Sequence, residues 1–132
     1  MTPSALTEDD LKRVVDAFYT RVRDDALLGP IFNDAIHDWP VHLANLQAFW
    51  SSVMLTSGRY KGQPMVAHAR HESVITPEAF ARWLELWRAT TGELVAPEAA
   101  AALQEKAARI AESIALGLDF YRDRARAAAE PS

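Results

Sequence analysis

Near the start of the chain, Leu11, Val14, Val15, Phe18 and Val22 recur at steps of three and four with charged residues between them, the spacing that gathers side chains on one stripe of an α-helix. Thr7 is followed by Glu8, Asp9 and Asp10, an acceptor side chain and an acidic first turn that compensate orphan amides and the helix dipole. The pattern predicts a helix from Thr7 to Asp24 with Tyr19 at the edge of its buried stripe. Leu27, Leu28, Ile31 and Phe32, punctuated by Gly29 and Pro30, predict an apolar turn into a short helical piece. Pro40 opens a second long helix on which Leu43, Leu46, Phe49, Trp50, Val53 and Met54 share a stripe with His42, ending before Ser57 and Gly58. Ser57 to Gln63 reads as loop, and Pro64 starts a short helix through His68 and His71. Thr76 and Pro77 begin a helix bearing Phe80, Trp83, Leu84 and Trp87, predicted to stop near Gly92. Pro97 begins the last and longest one, striped by Leu103, Ala107, Ile110, Ile114 and Leu118. No segment alternates with period two, so the predicted fold class is all-α.

A length of 132 residues with 49% hydrophobic positions predicts one domain over residues 1–132 that buries a real core, with flexible termini at about 1–6 and 127–132. The 14 Lys and Arg against 18 Asp and Glu give a net charge of −4, which offers no long-range attraction to nucleic acid or anionic lipid. No leader pattern opens the chain and no apolar run approaches the roughly 18 residues of a membrane span. The expectation is a cytoplasmic protein without nucleic-acid or membrane partners. The absence of cysteine removes disulfides, thiolate metal sites and cysteine nucleophiles, leaving histidine as the strong nitrogen ligand for any metal.

Of the four histidines, His37 and His42 are five apart and fall on different helix faces, which argues against a zinc hydrolase. His42 alone on an apolar stripe is more often a hydrogen-bonded core residue; it becomes a functional probe if a ligand lies against its helix. His68 and His71 sit on nearly the same face of a short proline-started element, the kind that presents one imidazole to the iron of a planar cofactor, and spacing leaves both open. Tyr19 and Trp83 are apolar bodies with one polar tip each. Packing accounts for either alone, whereas with His42 they form a set of donors suited to the partial negative charge on a metal-bound diatomic ligand. No glycine-rich loop has the spacing that cradles phosphate.

Taken in order, Phe18-Tyr19, Val22-Arg23, Leu28-Gly29-Pro30-Ile31-Phe32-Asn33, Trp39, His42 and Phe49-Trp50, then Tyr60, Gly62, Pro64, Met65 and His68, then Thr76-Pro77, Phe80, Arg82-Trp83-Leu84 and Leu86, the chain resembles the truncated haemoglobins of group III, bacterial globins. The resemblance covers most of its length. It implies a two-over-two helical sandwich around haem b (iron protoporphyrin IX), with His68 as proximal iron ligand and Tyr19, His42 and Trp83 as distal residues that stabilise a bound ligand. Phe32, Leu46, Trp50 and Met65 are implied as further haem contacts, and Arg59, Lys61, Arg70 and His71 as candidates to pair its propionates. The implied function is binding of oxygen and other diatomic gases (CO, NO). The alternative is a peroxidase-like or nitric-oxide-detoxifying enzyme served by a separate reductase.

Overall fold

The computed structural model describes residues 6–62 and 76–129. Five α-helices account for most of them: α1 (Glu8–Asp24), α2 (Leu28–Ala35), α3 (Trp39–Leu55), α4 (Pro77–Leu94) and α5 (Pro97–Ala129). No strand occurs among the described residues, in agreement with the all-α expectation. The short helix expected after Pro64 lies outside the described residues, and with it Met65, His68, Arg70 and His71.

Local chemistry sets most boundaries where the sequence places them. Thr7 and Asp10 form a reciprocal capping box, Thr7 Oγ1 accepting from the Asp10 amide and the Asp10 carboxylate accepting from the Thr7 amide, both at 3.1 Å. Asp38 caps α3, accepting from the Val41 amide at 3.2 Å. The helix therefore begins at Trp39, one residue before Pro40. Thr76 caps α4 in the same way through the Ala79 amide at 3.2 Å.

The helix predicted to stop near Gly92 ends two residues on, at Leu94, where the Val95 amide donates to the Thr91 carbonyl at 3.2 Å. A helical glycine costs about 1 kcal/mol. Here that cost is offset by Thr90 and Thr91, both fully buried, whose hydroxyls donate to the Leu86 and Trp87 carbonyls. Gly29 has the opposite character, because a Cβ there would lie 2.6 Å from the Arg23 carbonyl oxygen. Only glycine lets the start of α2 approach the end of α1 this closely.

α1 packs against α2, α3 and α4, and α4 packs against α5, so one helix pair lies over another. Phe18 is the hub of the core, edge-on to Tyr19, Trp83 and Trp87 at centroid distances of 4.7, 5.5 and 4.9 Å. Trp87 stacks on Trp50 at 4.5 Å and on Trp83 at 5.9 Å, while its indole nitrogen donates to the Leu103 carbonyl at 3.1 Å. This cluster ties α1, α3, α4 and α5 together. Asp25, 7% exposed in its side chain, fastens the α1–α2 turn by accepting from the Leu27 and Leu28 amides and from Arg82 Nε of α4 at 2.7 Å. No described helix is long and apolar enough to cross a membrane.

Candidate functional site

Between the helix pairs lies a cavity of about 590 Å³, within the range typical of small-molecule and cofactor sites. Its wall explains an oddity of α3. Leu46 and Phe49, on a stripe the sequence reads as core, are only half-buried because they face this space, and Trp50 and Ser51 are the fully buried residues of the helix. The opposite wall is Phe80 and Trp83 of α4 with Ile110 and Ile114 of α5. An apolar lining gives water few hydrogen-bond partners there. The shape and chemistry of the cavity suit a large, mostly apolar occupant.

Three polar tips meet this lining. Tyr19, 4% exposed, has its ring 6.0 Å from that of His42 and 5.7 Å from Phe32. Burial pushes its pKa up to about 12, against a smaller pull the other way from the Trp83 indole beside it. The phenol therefore stays neutral and keeps its own proton to donate. His42, its Nε2 buried, stands edge-on to both Tyr19 and Trp39, the latter at 5.5 Å. The Arg23 guanidinium covers Trp39 at 4.5 Å from the ring centroid, a cation–π contact that steadies the outer end of the row. Trp83 is immobilised by its stack on Trp87 and its edge contact with Phe18.

The mouth is formed by the loop after α3. Thr56 ends the helix in the left-handed region at φ 54°, Gly58 follows at φ 70°, and Arg59, Tyr60, Lys61 and Gly62 then border the cavity. Tyr60 lies edge-on to Phe49 at 5.3 Å, and its hydroxyl occupies the place a Cβ on Gly62 would need. Arg59 reaches back to Glu8 of α1 at 2.7 Å, whereas Lys61 makes no ion pair with a carboxylate among the described residues.

Of the eight cofactor-contact residues named from the sequence, Tyr19, Phe32, His42, Leu46, Trp50 and Trp83 are brought together around this one cavity. Met65 and His68 lie outside the described residues. Sequence reasoning did not name Asn45, Ile36, Phe80, Ile110 or Ile114 as cofactor contacts, and these also line it. The two isoleucines were legible only as a core stripe, because a helix facing a cavity and a helix facing a neighbour call for the same side chains.

These residues fit a haem: an apolar cleft for the macrocycle, cationic side chains at one edge for its carboxylates, and neutral hydrogen-bond donors at another. No protein-family model matches the chain. A group 3 truncated hemoglobin of Campylobacter jejuni is 35% identical over 86 residues, 62% of this chain and 67% of that protein. The crystal structure of a group III truncated hemoglobin from Campylobacter jejuni superposes with a TM-score of 0.76 at 30% identity, covering 86% of this chain and 92% of the other.

Proposed function

We propose that this chain, which belongs to the group III truncated haemoglobins, holds haem b in the cavity between its helix pairs and binds oxygen and other diatomic ligands there. The observation that carries this reading is the convergence of Tyr19, His42 and Trp83 on an apolar cleft of about 590 Å³. When bound, haem supplies the iron at which a diatomic ligand is taken up. The chain's own residues do the rest. His68 would hold the iron through an imidazole nitrogen, neutral imidazole being the usual protein donor to haem iron, and Met65 would be a further contact to the macrocycle.

On the other side, Phe32, Leu46 and Trp50 exclude water, which strengthens every polar interaction within. Tyr19 holds the proton to be donated. The Trp83 indole beside it pulls toward the charged form of the phenol, which makes the hydroxyl a stronger donor. His42 is the third donor of the set. Lys61 pairs with a haem carboxylate, and Arg59 with the other through guanidinium N–H groups not used on Glu8, since arginine carries five donors in all.

The test is an absorption spectrum of the purified protein, ferric and ferrous, with and without carbon monoxide, beside His68→Ala. The expected result is a Soret band that shifts with carbon monoxide in the parent and is lost or altered in the variant. A parent that stays colourless after haem is added overturns the reading.

A further inference from the structure

The loop that forms the mouth has no regular secondary structure, yet it is pinned by a closed ring of hydrogen bonds. Ser51 Oγ lies 2.7 Å from Glu8 Oε2 and 2.7 Å from Ser57 Oγ. Ser51 has a single hydroxyl proton, which goes to the carboxylate, so Ser57 is the donor in the second bond. The Arg59 amide donates to Ser57 Oγ at 3.3 Å, and Arg59 Nη1 returns to Glu8 Oε1 at 2.7 Å. Both carboxylate oxygens are used, one on the main path of α3 and one on the loop. Next to the ring, the Tyr60 amide donates to Ser52 Oγ at 2.8 Å.

The placement of this ring is informative. Glu8 is the first residue of α1, and Ser51 is 0% exposed in α3, so the ring joins two helices that do not move independently of the core. An exposed arginine–carboxylate pair contributes little by itself. A buried hydroxyl committed to a carboxylate is a charge-assisted bond, shorter and stronger than a neutral one. The residues that the ring fixes are those bordering the cavity, Arg59 and Tyr60 first among them.

We propose that Glu8, through Ser51, Ser57 and Arg59, is a positioning residue for cofactor retention: it holds the loop whose Arg59, Tyr60, Lys61 and Gly62 line the cavity and so slows escape of the bound macrocycle. This rests on the haem reading above. Glu8 touches no cofactor; it acts through Arg59 and the loop backbone.

The experiment follows transfer of haem from the ferric holoprotein to an excess of a colourless apo-globin acceptor, with amide hydrogen exchange measured on the same samples. Glu8→Ala and Ser51→Ala are expected to release haem about tenfold faster, and Glu8→Gln, which keeps one acceptor oxygen, to fall between them and the parent. Asp9→Asn is the control: it removes an acidic charge from the same exposed first turn and is expected to leave the rate unchanged. Exchange at the Arg59 and Tyr60 amides is expected to rise in Glu8→Ala while the buried amides of α1 keep their protection. Release from Glu8→Ala no faster than from Asp9→Asn overturns the proposal, and so does faster release with no change at Arg59 and Tyr60. Loss of protection throughout α1 also overturns it, since the effect would then be general unfolding. The Soret band of the parent is read first: its absence refutes the haem reading and the retention role together, whereas an intact band with unchanged release refutes the retention role alone.

Discussion

The Trp83 indole and the Tyr19 phenol, which lie side by side at the cavity, make a quantitative prediction about ligand release that neither residue makes alone. Consider Tyr19→Phe. The substitution removes the hydroxyl that donates to a ligand carrying partial negative charge, and a hydrogen bond of that kind is worth about 1.5–3 kcal/mol. Taken in isolation, that loss would speed ligand dissociation roughly tenfold to a hundredfold. The same substitution also removes the phenol oxygen beside the Trp83 indole. Trp83 stays in place, because its ring is parallel to Trp87 within 3° at 5.9 Å and edge-on to Phe18 at 5.5 Å. With that oxygen gone the indole N–H, its ring unmoved, is open to the ligand, and an N–H left without a partner costs about 1–3 kcal/mol.

Tyr19→Phe is therefore expected to speed dissociation only a few-fold. Trp83→Phe, which keeps a ring against Trp87 and leaves Tyr19 its own proton, is expected to do likewise. The double variant, with neither donor, is expected to reach about a hundredfold. The gap between the double and the product of the singles corresponds to a coupling of about 1 kcal/mol or more, beyond the roughly 0.3–0.5 kcal/mol scatter of independent sites. Stopped-flow displacement of oxygen by carbon monoxide across the four proteins measures it. A double variant that equals the product of the singles within that scatter refutes the shared-donor argument, as does a Tyr19→Phe variant that alone shows the full effect.

Three stability predictions follow from the same structure. Tyr19 ionises near 10 when unfolded and at about 12 in the fold; the preference of the fold for the neutral phenol is therefore intact below pH 10 and lost between pH 10 and 12. Denaturant midpoints are expected to fall over that window by roughly 3 kcal/mol more in the parent than in Tyr19→Phe, and parallel curves would contradict this. Burial opposes the charge of Asp25, but the Leu28 amide, Arg82 and the Leu27 amide outweigh it and hold its carboxyl below the ordinary 3.8. Its contribution is present above that value and is lost as pH falls through the folded-state value. Asp25→Asn is thus expected to cost about 1–3 kcal/mol at pH 7, with the difference from the parent narrowing in acid, as urea titrations at both pH values will show. Finally, Gly29→Ala is expected to lower stability by about 2 kcal/mol, since backbone must move to admit the methyl group. Gly92→Ala, in open space inside α4, is expected to raise it by about 1 kcal/mol; thermal melts of the same sign for both would refute the distinction.

Helix positions were largely legible because their causes are local. Thr7, Pro40 and Thr76 mark helix starts by caps and proline geometry acting within four residues, and the structure places α1, α3 and α4 there. The stop near Gly92 falls two residues further on, because a glycine ends a helix only where the backbone turns left-handed, and at this position nothing requires that turn. The donor set was legible in part. Tyr19, His42 and Trp83 stood out as polar tips on apolar stripes, an anomaly visible in one dimension. The Glu8 ring was not legible, since its bond to Ser51 spans 43 positions and Ser51 is 0% exposed. A serine inside an apolar stripe carries no local mark that distinguishes a solvent-facing residue from one committed to a carboxylate.

The half-buried wall of α3 links these observations. A helix whose apolar stripe met only other helices would bury that stripe fully, because contact area is what offsets the entropy of ordering it. Here Leu43, Leu46, Phe49, Val53 and Met54 are all half-buried, Leu46 and Phe49 of them bordering the cavity, while Trp50, which also borders it, is sealed against Trp87. The core therefore divides along α3 into a part that the chain completes by itself and a part that it leaves for an occupant. The occupant's contribution to stability is then a mass-action term, growing with its concentration over its dissociation constant. The two parts predict different behaviour on removal of the occupant: the Phe18–Trp87–Trp50 cluster should keep its hydrogen-exchange protection, while the amides of α3 around His42 and Leu46 lose theirs. Equal loss in both regions would mean that the aromatic cluster does not stand without the occupant, and that the division read along α3 is wrong.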